Sequence, residues 1–115
     1  MSDVQRHDFT VSQGAAWAED LFYYLDDRET PVNLTNYSCT IVAKTEPGGD
    51  VLATLSTAAG TIIIDGPLGK ISINVPTATT AAWDWTEPAI YRLDLVDTQG
   101  EHFATLEGRI HLAEF

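Results

Sequence analysis

The segment from Ala89 to Leu112 constrains this chain more than any other, because two runs within it alternate apolar and polar residues. Tyr91, Leu93 and Leu95 interleave with Arg92 and Asp94, and Ala104, Leu106, Ile110 and Leu112 interleave with Thr105, Glu107, Arg109 and His111. A repeat of two is that of a β-strand, whose successive side chains point to opposite faces. The runs are joined by Asp97-Thr98-Gln99-Gly100-Glu101, in which Gly100 can supply the positive φ that a four- or five-residue hairpin loop needs. The segment therefore reads as a β-hairpin with one apolar face. Burying each large side chain of that face is worth about 1.5–3 kcal/mol, but only beneath a second layer that the preceding chain must supply.

The preceding chain contains such strands. Asp8 to Ser12 alternates and ends at Gln13-Gly14. Ala15 to Leu25 admits a helix, with Trp17, Leu21 and Tyr24 at helical spacing, or a strand, with Trp17, Leu21, Tyr23 and Leu25 on one side. The crowding of Phe22, Tyr23 and Tyr24 suits a pleated surface, so the strand is preferred. Tyr37 to Thr45 and Val51 to Ser56 flank the turn Glu46-Pro47-Gly48-Gly49-Asp50, and Thr61 to Asp65 and Lys70 to Pro76 flank Gly66-Pro67-Leu68-Gly69. Thr77 to Ala82 reads as one helical turn.

Eight or so short strands at a spacing of about 8–12 residues predict an all-β fold: a two-layer antiparallel β-sandwich, immunoglobulin-like, with one short helical turn. Its expected core contains Tyr91, Leu93, Leu95, Leu106, Ile110, Ile41, Ile71 and Ile73. A short helix ahead of a tyrosine-bearing strand marks a corner of such sandwiches, and Tyr91 takes that tyrosine's place. Residues 8–115 are expected to form one domain. Residues 1–7, polar and mixed in charge, are expected to be a flexible N-terminal arm. Gly108 interrupts the inward face between Leu106 and Ile110, which implies a bulge or a large aromatic such as Trp17 or Tyr91 lying against it.

Charge and composition narrow the function. Seventeen acidic residues against six basic ones leave a net −11, which repels phosphate backbones and anionic lipid surfaces, so neither nucleic acid nor a membrane is an expected partner. The single cysteine, Cys39, cannot form an internal disulfide and lies in an alternating apolar run, where it reads as a small buried hydrophobe. No charged segment followed by an apolar one opens the sequence, and no run approaches the roughly 18 apolar residues of a membrane span; the chain is expected to stay where it is made.

Catalytic signals are weak throughout. His7, His102 and His111 lack metal-ligand spacing, and Asp26-Asp27-Arg28-Glu29 lacks the spaced oxygens of a calcium loop and reads as a solvated turn. Asp84 with Glu87, or Asp94 with Asp97, could act as an acid and base pair only in an apolar pocket that nothing in the sequence indicates. No nucleophile elbow or phosphate-cradling loop occurs. No catalytic, cofactor-binding or metal-binding residue is therefore expected, and no enzymatic activity. Trp83 and Trp85 either plug the open end of the sandwich or form an exposed platform for a sugar or a protein.

The order Phe9, Gly14, Trp17, Pro31-Val32-Asn33-Leu34-Thr35-Asn36-Tyr37, Gly60-Thr61-Ile62, Gly69-Lys70-Ile71-Ser72-Ile73, Thr80-Ala81-Ala82, Tyr91-Arg92-Leu93-Asp94-Leu95, Gly100 and Leu106-Glu107-Gly108-Arg109-Ile110 spans nearly the whole chain. It resembles small immunoglobulin-like β-sandwich structural proteins of tailed bacteriophages. The chain departs from their pattern with Asn36 where glycine is common and Arg92 where aspartate is. The resemblance implies a non-catalytic virion structural protein made in the host cytoplasm, either a tail or baseplate attachment module or a capsid cement or decoration protein. The polar arm, strand edges that must be paired or protected, and a negative charge that disfavours casual self-association lead to the expectation that the chain docks on a larger virion protein through the arm and one sheet edge, and a small homo-oligomer is in keeping with virion symmetry. Asp3, Val4 and Arg6 of the arm, with Trp83 and Trp85, are the expected partner contacts. The alternative is a free-standing immunoglobulin-like carbohydrate- or protein-binding module.

Overall fold

A computed structural model describes residues 5–23 and 32–113. In chain order these form β1 (Gln5–Arg6), β2 (Phe9–Ser12), β3 (Trp17–Phe22), β4 (Ser38–Lys44), β5 (Val51–Ser56), β6 (Ile62–Asp65), a 3-10 turn (Gly66–Leu68), β7 (Lys70–Val75), the helical turn α1 (Thr77–Ala81), β8 (Ala89–Val96) and β9 (His102–Ala113). Within the segment that admitted either a helix or a strand, Trp17–Phe22 is a strand: Trp17, Glu19 and Leu21 turn towards the interior and Ala18 and Asp20 towards solvent. The acidic turn Asp26 to Glu29, together with Tyr24, Leu25, Asp3 and Val4, lies outside the described residues.

Two sheets pack face to face. One runs β9-β8-β4-β5, and the other β3-β7-β6. All these neighbours are antiparallel, whereas β1 and β2 lie along β9 in parallel. The two-layer antiparallel sandwich is thus the fold, with β1 and β2 added in parallel at its edge, and Gln5 and Arg6 of the expected arm lie in that added strand. Gln5 pairs with Leu106 and Phe9 with Ile110, so β1 and β2 are a single strand in one register, interrupted at His7 and Asp8. At the interruption the His7 N–H donates to the Glu107 carbonyl at 2.9 Å, and the Asp8 carboxylate accepts the Arg109 N–H at 2.9 Å in place of a main-chain carbonyl. The physical reason is the free edge of β9, whose N–H and C=O groups bind an adjacent extended chain more firmly than the arm's polarity suggests.

The hairpin forms as its alternation requires. Gly100 has φ +85°, and Tyr91, Leu93, Leu95 and Ile110 are buried with Ile41, Ile71 and Ile73. Leu106 is only partly buried, a departure from the expected core. Its neighbourhood explains this: Leu93 pairs with Leu106 but Asp94 pairs with Ala104, so Thr105 is an extra residue in β9. A one-residue bulge inverts the facing of everything beyond it. Phe103 rather than Ala104 consequently lies opposite the buried Leu95.

Five aromatic rings hold the end of the sandwich near the interruption. Phe9 meets Trp17 edge-on at 5.1 Å and Tyr91 at 5.3 Å, Trp17 meets Trp83 edge-on at 6.3 Å, and Trp83 lies 4.9 Å from Trp85. Edge-to-face and offset contacts of this kind add about 0.5–1.5 kcal/mol each beyond buried area. α1 is fastened beside them by Thr80, which is fully buried and donates its hydroxyl to the Ala15 carbonyl at 2.8 Å. Tyr91 lies at the expected corner, yet its hydroxyl donates to the His7 carbonyl of the N-terminal strand and not to the corner itself. Tyr91→Phe is expected to lower stability by about 0.5–1.5 kcal/mol, read by urea denaturation, and to loosen Gln5 to His7 first, read by amide exchange.

Candidate functional site

Of the two places open to Trp83 and Trp85, the fold gives them the plug. Trp83 and Trp85 are each only 8% exposed, and the Trp85 indole N–H donates to the Ile110 carbonyl at 3.2 Å. Both residues plug the sandwich, because two indoles bury more apolar area against Trp17 and β9 than a loop could leave in water without cost. They are corrected from partner contacts to core residues. Arg6 remains exposed, but as part of β1, where it pairs with Glu107.

What the fold does present is the outer face of β9, β8 and β4. Register places Lys44, Ile90 and Arg109 side by side in one cross-strand row, and Val42, Arg92, Glu107 and Arg6 in the next. With Asp94, and with Pro47 and Gly48 of the β4–β5 turn as a wall, these residues line a concavity of about 540 Å³. Four of the six basic residues of an acidic chain therefore share one face. The lining carries a net +2 (four cations against Asp94 and Glu107), while the chain as a whole carries −11. A concave, partly apolar wall focuses the field of such a cluster.

The four cations differ in what they already hold. Arg92 engages Asp94 on two sides, with Nε 2.9 Å from Oδ1 and Nη2 donating to Oδ2 at 3.1 Å. Arg6 reaches Asp8 only loosely, at 3.8 Å between two exposed side chains. Among the described residues neither the Lys44 ammonium nor the Arg109 guanidinium has a carboxylate within 4 Å, although the Arg109 main-chain N–H is taken by Asp8. Arg92 and Arg109 were visible in the sequence as outward positions of the hairpin; that Lys44 and Arg6 join them follows only from β4 and β1 flanking it.

Among the described residues no group of three His, Cys, Asp or Glu could hold a metal ion, and no helix is long and apolar enough to cross a membrane. Cys39 is 1% exposed, and burial, helped by the nearby Asp94 charge, pushes its thiol up to about 12. Burial likewise raises the Tyr91 phenol, with Asp8 and Glu19 adding to it. Both groups therefore release their protons from the unfolded chain first as pH rises. Stability is full below about 9 and is lost from there towards about 12, at no more than about 1.4 kcal/mol per pH unit from Cys39 alone. Cys39 is expected to resist a thiol reagent at pH 8 in the native protein and to react at once in denaturant.

The strand order, with β3, β7 and β6 packed on a sheet of β9, β8, β4 and β5 and a helical turn before β8, defines an immunoglobulin-like β-sandwich. No protein-family model matches the sequence, and no curated protein matches it. A solved structure of Drosophila OTK, extracellular domains 3–5, aligns over 91% of this chain at 14% identity and a TM-score of 0.37. The chain spans about a third of that structure, 32% of its length.

Proposed function

We propose that this chain is a non-catalytic bacteriophage virion structural protein that docks on a larger virion protein, as a tail or baseplate attachment module or a capsid cement protein. The observation that carries docking is the concave outer face of β9, β8 and β4, built from paired strands and bearing two side-chain cations, of Lys44 and Arg109, that have no carboxylate within 4 Å among the described residues. The virion assignment draws on the sequence resemblance. One of its departures is conformationally conservative: Asn36, standing where glycine is common, has φ +67°, a left-handed conformation that asparagine and glycine share.

Burial of Trp83 and Trp85 takes the stacking platform from the carbohydrate-binding alternative. The test is sedimentation of the purified protein with empty particles that lack it. Saturable co-sedimentation at a fixed copy number per particle is the expected result. Protein that stays in the supernatant, or specific retention on a glycan array, overturns the reading.

A further inference from the structure

We propose that the face of β9, β8 and β4 takes an extended acidic segment of a partner protein, of the pattern acidic-x-apolar-x-acidic. One carboxylate sits on Lys44, the other on Arg109, and the apolar side chain between them rests on Ile90. This rests on the docking reading above and names the chemistry of the partner.

The register supplies the geometry. Lys44, Ile90 and Arg109 occupy one row across three adjacent strands. Strands lie about 4.8 Å apart, so the backbones of Lys44 and Arg109 are separated by about 10 Å. Side chains on one face of an extended peptide recur about every 6.8 Å, so the first and fifth residues stand about 14 Å apart with the third between them. The length of the lysine and arginine side chains covers the small excess. Ile90 is partly buried and Val42 beside it likewise, so the floor between the cations is apolar. Pro47 and Gly48 bound the groove on the β4 side.

Charge selects among occupants. The Lys44 ammonium and the Arg109 guanidinium have no carboxylate partner among the described residues, whereas Arg92 is held by Asp94 and so offers less. Asp94 and Glu107 in the next rows, and Asp8, which takes the Arg109 main-chain N–H at 2.9 Å at the β1 end of the row, repel a third acidic residue and limit the match to a short segment. A nucleic acid meets those carboxylates with every phosphate, and the net −11 of the chain opposes its approach. A second copy docking by the same face sets Lys44 and Arg109 against their own likeness.

The probe is a blocked peptide Glu-Ser-Ile-Ser-Glu, with Lys-Ser-Ile-Ser-Lys as its control, titrated into the full chain and followed by amide chemical shifts at low salt. The expected result is saturable shifts confined to the rows of Lys44, Ile90 and Arg109, weakened by salt. Lys44→Glu with Arg109→Glu is expected to lower affinity for the acidic peptide at least about tenfold and to reverse the preference towards the basic one. Should that variant lose its native spectrum, Lys44→Gln with Arg109→Gln is used, with the same tenfold loss expected and no reversal.

No shifts at low-millimolar peptide, shifts on another face, or equal binding by the charge variants overturns the proposal. So does tighter binding of a single-stranded oligonucleotide to the same residues, or a dimer that the variants dissolve. The two readings fail separately. A protein that binds the peptide but not particles loses its virion role and keeps this site; variants that still co-sediment with particles keep the docking role and move it to another face.

Discussion

Replacing Gly108 with valine is expected to destabilise the protein by about 3 kcal/mol or more, the upper end of the cost of overpacking, and to lower the melting temperature by about 12 °C. An ideal Cβ at this position stands less than 3 Å from the His7 carbonyl oxygen and 2.8 Å from Asp8 Oδ1. The obstacle is main chain that is itself pinned by Tyr91 and by Glu107, so it cannot rotate aside as a side chain would. Gly108 is therefore glycine because a backbone crosses it. Had the neighbour been Trp17, as the sequence allowed, alanine would be tolerated. With His7 as the neighbour, Gly108→Ala is expected to lose most of what valine loses. Thermal and urea unfolding of both variants decide the matter, and rapid amide exchange at His7 and Arg109 should report the detachment of β1. An alanine variant as stable as the parent would refute this account.

The second large effect is expected for Trp85→Ala, at about 3–5 kcal/mol, the usual cost of emptying a buried indole site. The variant removes the contact with Trp83 at 4.9 Å and the hydrogen bond to the Ile110 carbonyl, and so loosens both the loop before β8 and the strand it braces. An exposed contact residue predicts the opposite pattern, unchanged unfolding with lost binding to particles. Measuring both quantities on one variant separates the two, and poor incorporation by Trp85→Ala is meaningful only beside its unfolding curve. Lys44 and Arg109 are the better residues for a binding test, since among the described residues neither charged side-chain end has an acidic partner whose loss would confuse the result.

Much of the secondary structure is legible residue by residue. The alternation of Tyr91, Leu93 and Leu95 with Arg92 and Asp94, the turn at Gly48, and the paired apolar runs around Pro67 each specify a local conformation, because backbone sterics and side-chain period act over a few residues. The bulge at Thr105 was hidden in that same alternation. A single extra residue leaves period two intact on either side and shows itself only when β8 supplies the partner.

The candidate site was legible in half. Arg92 and Arg109 stand at outward positions that the hairpin already implies, but a sheet face is made by neighbours, and β4 and β1 become neighbours of that hairpin only through long-range pairing. The fate of the tryptophans was open for a related reason. Trp-Asp-Trp is as suitable for a plug as for a platform, and the choice depends on whether Trp17 and β9 leave room for two indoles beneath the loop.

By itself, then, the sequence determined the β class, the turns, the alternating core of the hairpin and the net charge of −11, all of which follow from local sterics, periodicity and composition. Only the tertiary structure decided that the N-terminal residues pair in parallel with β9, that Gly108 yields to the His7 backbone, that Trp83 and Trp85 are interior, and that four of six basic residues meet on one face. Those outcomes turn on which distant segments share an edge or a layer. That choice is made by the total of buried area and satisfied hydrogen bonds over the whole chain, which no local stretch of residues carries.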